Sequence, residues 1–496
     1  PQKLPYHCLF GRGPGGGASR REAASPGVSP LHSSFSLVTI LGGERMERPV
    51  WEMLREQRGR MSLHMPGHKG KAPFGEMELY GLDTTELPGT DDLYAPESGL
   101  KRAEELYARA AGSSEALLLH NGSTAGNQVM LMLCAGAGDT VLLPRNAHVS
   151  ATNACVVGDL RPVFMPLCFT EDGYGYIAEQ TVLDALDQHP EAKCLLLTRP
   201  DFYGCCLPLE KIVRKAHAQG CRVVVDEAHG AHFPWMQDAQ SAGALGVDAW
   251  VQSSHKTLPS LTGTAVLHLR HAEDRQRAMM LLRLTQTSSP NFVLMMSIDD
   301  ARAWMEEQGR ERLLRVANAV DALRERLPAM GYRDAHAGWG ETGMTFDRTR
   351  LVISAPQGGD ALDAALREKG IDVEMHDLRR VVCILTAMDD AETVERLGKA
   401  LAEIPAEKAV IPLPPYQQPL PERAMSPREA VMGASVYVPL DQAAGRVAAA
   451  AAGLYPPGIP LTAPGEIFTE KTTRTLARAG VRGRFGVEGE CVLCVK

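Results

Sequence analysis

From about residue 110 onward, short apolar runs alternate with segments of helical periodicity, a pattern that restricts the chain to a parallel sheet covered by helices. Leu117-Leu118-Leu119 leads into a predicted helix from Ala125 to Cys134, and Thr140 to Leu143 reads as the next strand. Leu195-Leu196-Leu197 is followed by a helix with apolar positions at Leu209, Ile212, Val213 and Ala216, stopped by Gly220. Val223-Val224-Val225, Trp250-Val251 and Ala265-Val266-Leu267 complete the series. The expected fold class is α/β, with one large, mostly parallel-sheet domain within residues 46–305 and helices on both of its faces.

A predicted helix from about 310 to 327, with apolar strands near Leu351-Val352-Ile353 and from Val381 to Leu385, defines a smaller α/β unit over 306–410. It closes at Pro412-Leu413-Pro414-Pro415, read as a stiff linker. Beyond it, Ser426-Pro427-Arg428-Glu429 combines an N-cap serine, a proline at the first helical position and a glutamate that can reach back, so the last segment, 411–496, folds as well. Residues 1–45 are rich in Gly, Ser, Pro and Arg without periodicity, and are expected to be a disordered leader or to lie upstream of a true start at Met46. Gly11-x-Gly13-x-x-Gly16 falls there, lacking the preceding strand and following helix that a dinucleotide fingerprint needs.

Composition narrows the partners. The formal charge of -8 over 496 residues argues against nucleic acid, which needs clustered Lys and Arg, and favours attraction of a cationic small molecule. Eleven cysteines without repeated spacing, including the adjacent Cys205-Cys206, fit reduced thiols in a cytoplasm rather than a secreted disulfide framework. No stretch approaches the roughly 18 uncharged apolar residues of a membrane helix, so a soluble cytoplasmic protein with no membrane partner is expected.

Chemistry-bearing residues gather at the predicted strand ends, where open α/β sheets bind their ligands. Asp226 ends Val223-Val224-Val225, and Lys256 follows the strand around Trp250-Val251 within Ser253-Ser254-His255-Lys256. Asn121 to Asn127 joins a strand to a helix, so backbone N–H groups and the hydroxyls of Ser123 and Thr124 can hold a phosphate dianion at the helix N-terminus. His148 opens the next helix and offers a flat ring. Pyridoxal phosphate asks a protein for these parts: an amine for its aldehyde, an acid on its pyridine nitrogen, a phosphate cradle and a stacking face. Singly, each residue is ordinary: a lysine after a strand is commonly solvated, an aspartate at a strand end caps a turn, and Gly-Ser-Thr is a plain N-cap. Their order and shared placement make pyridoxal phosphate the expected cofactor.

Asp226-Glu227-Ala228-His229-Gly230-Ala231-His232, Ser253 to Pro259 and Thr262-Gly263-Thr264-Ala265 resemble the Orn/Lys/Arg decarboxylase family of fold-type-I pyridoxal-phosphate enzymes. So do His64-Met65-Pro66-Gly67-His68-Lys69-Gly70, Glu86 to Leu93, Asn121 to Asn127, Arg145 to His148, Thr287 to Pro290 and Tyr455 to Pro460, in the family's order. The resemblance implies Lys256 as the Schiff-base lysine, Asp226 as the pyridinium partner, His148 as the stacking ring and Ala228 under the other face. It also implies phosphate contacts from Ser123, Thr124, Ser253 and His255, with Ala125 and His229 in the cofactor's wall. A short form without an N-terminal wing domain, assembled as a homodimer or larger homo-oligomer, is implied as well. The block Thr198 to Gly204 departs from the pattern at Asp201-Phe202, and Ala147 stands where a cysteine is frequent.

The implied reaction is loss of CO2 from arginine, lysine or ornithine, feeding polyamine synthesis, with the Cα proton returned by His255 or Lys256. A basic side chain needs an anionic pocket, because an unpaired buried cation is costly. Glu86, Asp91, Asp92 and Glu466 are the candidates, although carboxylates beside Pro-Gly are also ordinary solvated turn residues. Two other readings compete: an aminotransferase or β-eliminating lyase sharing the Asp and Lys pair, and a cofactor-binding paralogue or regulator without turnover. Regulators of that kind usually carry a helix-turn-helix, for which the 45-residue leader is too short and Gly-rich. No metal is expected. Cys491-x-x-Cys494 lacks a second ligand pair, His229 and His232 read as active-site walls, and His64, His68, Lys69 and Lys71 do not have P-loop spacing.

Overall fold

The computed structural model describes residues 61–63, 91–411, 419–455, 458–480 and 483–496. The leader, the Gly11 fingerprint, the basic run at His64, Glu86 and the proline linker lie outside the described residues. The chain runs through β1 (Met61–Leu63), α1 (Gly99–Ala111), β2 (Glu115–Leu119), α2 (Gly122–Cys134), β3 (Thr140–Pro144), α3 (Val149–Gly158) and β4 (Arg161–Met165). Then come α4 (Glu179–Gln188), β5 (Cys194–Thr198), α5 (Glu210–Ala218), β6 (Arg222–Asp226), β7 (Ala249–Gln252), the short α6 (Ser254–Thr257) and β8 (Ala265–Leu269).

Seven of these strands form one sheet in the order β2-β8-β7-β6-β5-β3-β4. β8 runs antiparallel to both its neighbours, and the other pairings are parallel. Successive residues of a strand face opposite sides, and here both sides are covered. Leu195, Leu197, Val223 and Val225 join one buried apolar cluster, while Leu196, Val224, Val251 and Leu267 join another. This explains why the strands read as continuous apolar runs. Helix α2 starts earlier than its periodicity suggests, at Gly122, whose φ of +66° turns the chain out of β2. It lies so close to the sheet that a Cβ on Gly126 would sit 2.4 Å from Val251 Cγ2.

After α7 (Arg275–Thr285), helices α8 (Phe292–Trp304) and α9 (Arg310–Arg326) are joined by a π-helical turn, Met305–Gly309. The expected boundary at 305/306 therefore falls inside one continuous helical run. The smaller unit contains β9 (Arg333–Asp334), β10 (Arg350–Ser354), α10 (Gly359–Glu368), β11 (Ile371–Val373), β12 (Met375–His376), β13 (Arg380–Ile384) and α11 (Ala391–Glu403). Its antiparallel sheet has the order β9-β10-β13-β12. β1, from the N-terminal segment, pairs in parallel with β11 and buries Met61 and Leu63 in this unit's core.

In the last segment, Ser426 and Glu429 form the reciprocal capping box expected of them at the start of α12 (Pro427–Met432). β14 (Ser435–Pro439), β15 (Ala452–Leu454), β16 (Ile459–Thr462), α13 (Glu470–Arg478) and β17 (Cys491–Val495) follow around a core that includes Leu454, Leu461, Phe468, Leu476 and Val492. Cys491 and Cys494 lie three apart on β17, so they point to opposite faces of the strand. No helix among the described residues is long and apolar enough to cross a membrane.

Candidate active site

The carboxyl ends of β2, β7, β6, β5 and β3 share one edge of the sheet, and the residues just beyond them form the site. Asp226, the last residue of β6, is buried. Its Oδ1 accepts from the Ala228 amide (3.1 Å) and its Oδ2 from Asn127 Nδ2 (2.7 Å). Asn127 lies one helical turn beyond Ser123 on α2, on the same face. It also donates to Ser150 Oγ (2.9 Å), and Ser150 Oγ lies 2.8 Å from His148 Nδ1. The Ser150 amide donates to that same Nδ1 (3.2 Å), making His148 the N-cap of α3. One hydrogen-bonded line thus joins the His148 ring to the Asp226 carboxylate. Asn127 and Ser150 were not singled out from the sequence; the i, i+4 spacing of Ser123 and Asn127 was the available signal.

Lys256 sits in the one-turn helix α6, directly after β7. Burial pushes its amine below the ordinary lysine value of 10.5 and Arg350 adds to this, while the charges of Asp226 and Glu374 oppose it. Its Nζ lies 3.3 Å from His229 Nε2. His229 is buried, with the Phe202 ring edge-on at 5.1 Å, and Arg350 Nη2 lies 3.4 Å from its Nδ1. Burial, reinforced by the charges of Lys256 and Arg350 and of the neighbouring histidines, holds the His229 pKa well below 6.5 and so favours the neutral ring. Arg350 and Glu374 belong to the smaller unit and were missed in the sequence, since nothing local to either marks it.

The edge where a phosphate is expected is tied together by the turn before β8. The Gly122 amide donates to Gly263 O (2.7 Å), and His255 Nδ1 donates to the adjacent Thr264 O (2.8 Å). The turn thereby brings the start of α2, carrying Ser123, Thr124 and Ala125, together with Ser253 and His255. Asn121 leaves the first-turn amides of α2 without a side-chain cap. Ser253 Oγ is fully buried and has no hydrogen-bond partner among the described residues, and such a hydroxyl calls for an acceptor. An uncapped helix start, an unsatisfied serine, a carboxylate at a strand end and a lysine of lowered pKa fit pyridoxal phosphate. Ala228, 5% exposed, supplies a small side chain beside Asp226.

The expected substrate carboxylates fare differently. Glu466 makes a bidentate pair with Arg145, both bonds 2.8 Å, and also accepts from the Ala463 amide (2.7 Å). Arg145 further donates to Pro460 O and Leu461 O. Glu466 is thus the buried clamp of the C-terminal segment on the loop before His148, and not an open anion for a substrate. Asp91 accepts from the amides of Asp92, Glu97, Ser98 and Leu100, which makes it the organiser of the turn into α1. Asp92 accepts from the Tyr94 amide in the same turn. Glu374, whose charge acts on Lys256 and on Arg350, is a carboxylate that the structure, besides Asp226, brings into electrostatic range of the amine.

Comparison with known proteins bears on the same residues. The family model for the Orn/Lys/Arg decarboxylase major domain matches residues 49–338, and that for the C-terminal domain matches 414–478. An arginine decarboxylase of Bacillus subtilis is 32% identical over 451 residues, covering 86% of this chain and 92% of its own length. An arginine decarboxylase of Halalkalibacterium halodurans is 32% identical over 459 residues, with 86% and 92% covered. Among solved structures, lysine decarboxylase A from Pseudomonas aeruginosa superposes with a TM-score of 0.70 at 19% identity, covering 84% of this chain and 74% of that one.

Proposed function

The chain belongs to the Orn/Lys/Arg decarboxylase family and is a pyridoxal-phosphate-dependent decarboxylase of basic amino acids; on that premise we propose that arginine is its substrate. The observation carrying this choice is that the relatives about 32% identical over most of both chains bear the name arginine decarboxylase. Bound pyridoxal phosphate supplies the sink for the electron pair left when CO2 departs.

The roles of the chain's own residues follow from their surroundings. Lys256, with an amine of lowered pKa, would hold the cofactor aldehyde and afterwards give way to the substrate amine. Asp226, held by Asn127 and Ala228, would keep the pyridine nitrogen protonated, and the Ser150 line would fix the His148 ring against the cofactor face. Ser123, Thr124, Ser253 and His255 would hold the phosphate. With the His255 Nδ1 proton committed to Thr264 O, the Lys256 and His229 pair is the better supported source of the Cα proton. Glu374 would face the substrate cation.

Two coarser features complete the reading. None of the ten described cysteines forms a disulfide, which suits a reducing cytoplasm. Self-association as a homodimer or larger assembly is measurable by light scattering on the purified chain. CO2 release from arginine, lysine and ornithine tests the substrate: arginine should give the largest kcat/KM, and a preference for lysine or ornithine would overturn the choice. Replacing Glu374 by Gln should raise KM for the basic amino acid about tenfold or more, since a charge-assisted contact is lost; an unchanged KM would remove it from the substrate pocket.

A further inference from the structure

His229 stands between two basic side chains, with Lys256 Nζ 3.3 Å from Nε2 and Arg350 Nη2 3.4 Å from Nδ1. A guanidinium has donors and no acceptor, so Nδ1 must present its lone pair to Arg350. In a neutral ring the single proton then lies on Nε2, pointing at Lys256. We propose that Arg350 is a positioning residue that selects this tautomer of His229, so that an N–H faces the Lys256 nitrogen and favours its neutral, nucleophilic form. A protonated lysine amine would set donor against donor on that line. The inference rests on the reading of Lys256 as the cofactor-holding amine and adds to it the group that sets its hydrogen-bonding partner.

The seat of Arg350 is built for this task. It opens β10, is 1% exposed, and donates from Nη1 to Phe202 O (3.1 Å), which aims the other arm of the guanidinium at His229. Gly204, at φ +86°, leaves the space: a Cβ there would sit 2.6 Å from Arg350 Cβ. Asp347, Glu374 and Asp201 face Arg350 and help to keep its charge, while Lys256, His148 and His255 are the titratable groups that act on His229. The Asp201-Phe202 pair that departs from the family's pattern thus lies beside Arg350, Phe202 holding it through its carbonyl.

The test is a 15N spectrum of the full chain labelled at histidine, without added cofactor, with His229 identified by its loss in His229→Gln. The expected result is a bare Nδ1 and a protonated Nε2 at neutral pH. A protonated Nδ1 with a bare Nε2 would overturn the proposal, whatever the variants do. In Arg350→Met the preference should disappear, His229 should titrate at higher pH than in the wild type, and kcat should fall about 10²-fold. A variant that keeps the wild-type tautomer and titration would equally overturn it. Because the spectrum needs no turnover, it is independent of CO2 release, and failure of the substrate assignment leaves this readout intact.

Discussion

At the scale of single residues, Asp226 is the most demanding position, because its carboxylate is buried and, on the proposed reading, would be the group facing the cofactor's pyridine nitrogen. Asp226→Asn keeps the size and a hydrogen-bonding group but removes the charge. It should lower kcat about 10²- to 10³-fold while leaving the folded chain intact, as measured by CO2 release beside a circular dichroism spectrum. The placement of Asp226 at the carboxyl end of β6, and of Lys256 just beyond that of β7, was legible in the sequence because each follows an apolar run. Asn127 and Arg350 were not. The Asn127 bond to Asp226 spans 99 residues of chain and the Arg350 contact with His229 spans 121, so neither leaves a mark in the surrounding sequence.

Elements carry the next layer of constraint. The approach of α2 to β7 depends on Gly126, and a methyl group there meets Val251 in a fully buried layer. Gly126→Ala should cost about 1–3 kcal/mol of stability through overpacking, read as a lower urea midpoint with an unchanged slope. At the entry to α1, burial opposes ionisation of Asp91. The amides of Glu97, Ser98, Asp92 and Leu100 outweigh it and bring its pKa from 3.8 to about 2. A carboxylate lowered on folding stabilises the native state above its unfolded value, and that contribution is lost as pH falls from 3.8 through about 2. Asp91→Asn should therefore be less stable than the wild type at neutral pH and converge with it near pH 2; urea melts across that range would show a constant gap if the carboxylate had no such role. The strands of the large sheet were readable because both faces are buried. The boundary at 305/306 was not, because a π-helical turn carries one helical run across it without a break in periodicity.

On the scale of the whole molecule, the C-terminal segment is tied to the loop before His148 by a buried ion pair. Glu466 reaches Arg145 across 321 residues of sequence, and both side chains are nearly inaccessible to water. Removing one partner of such a pair strands a buried charge, so Glu466→Ala should cost about 3–5 kcal/mol. The loss should appear as weaker cofactor retention on dialysis before global unfolding, because Arg145 precedes the loop that carries His148. A variant that unfolds while retaining cofactor to the end would disconnect the clamp from the site.

The clamp also has a consequence in time. Lys256, Asp226 and the start of α2 leave the ribosome well before residues 460–466, so a nascent chain can build the sheet while the loop leading to His148 still lacks its anchor. The Arg145–Glu466 bond can form only once the 321 residues that separate its ends have been made, so the loop leading to His148 gains its anchor later than the sheet beneath it gains its strands.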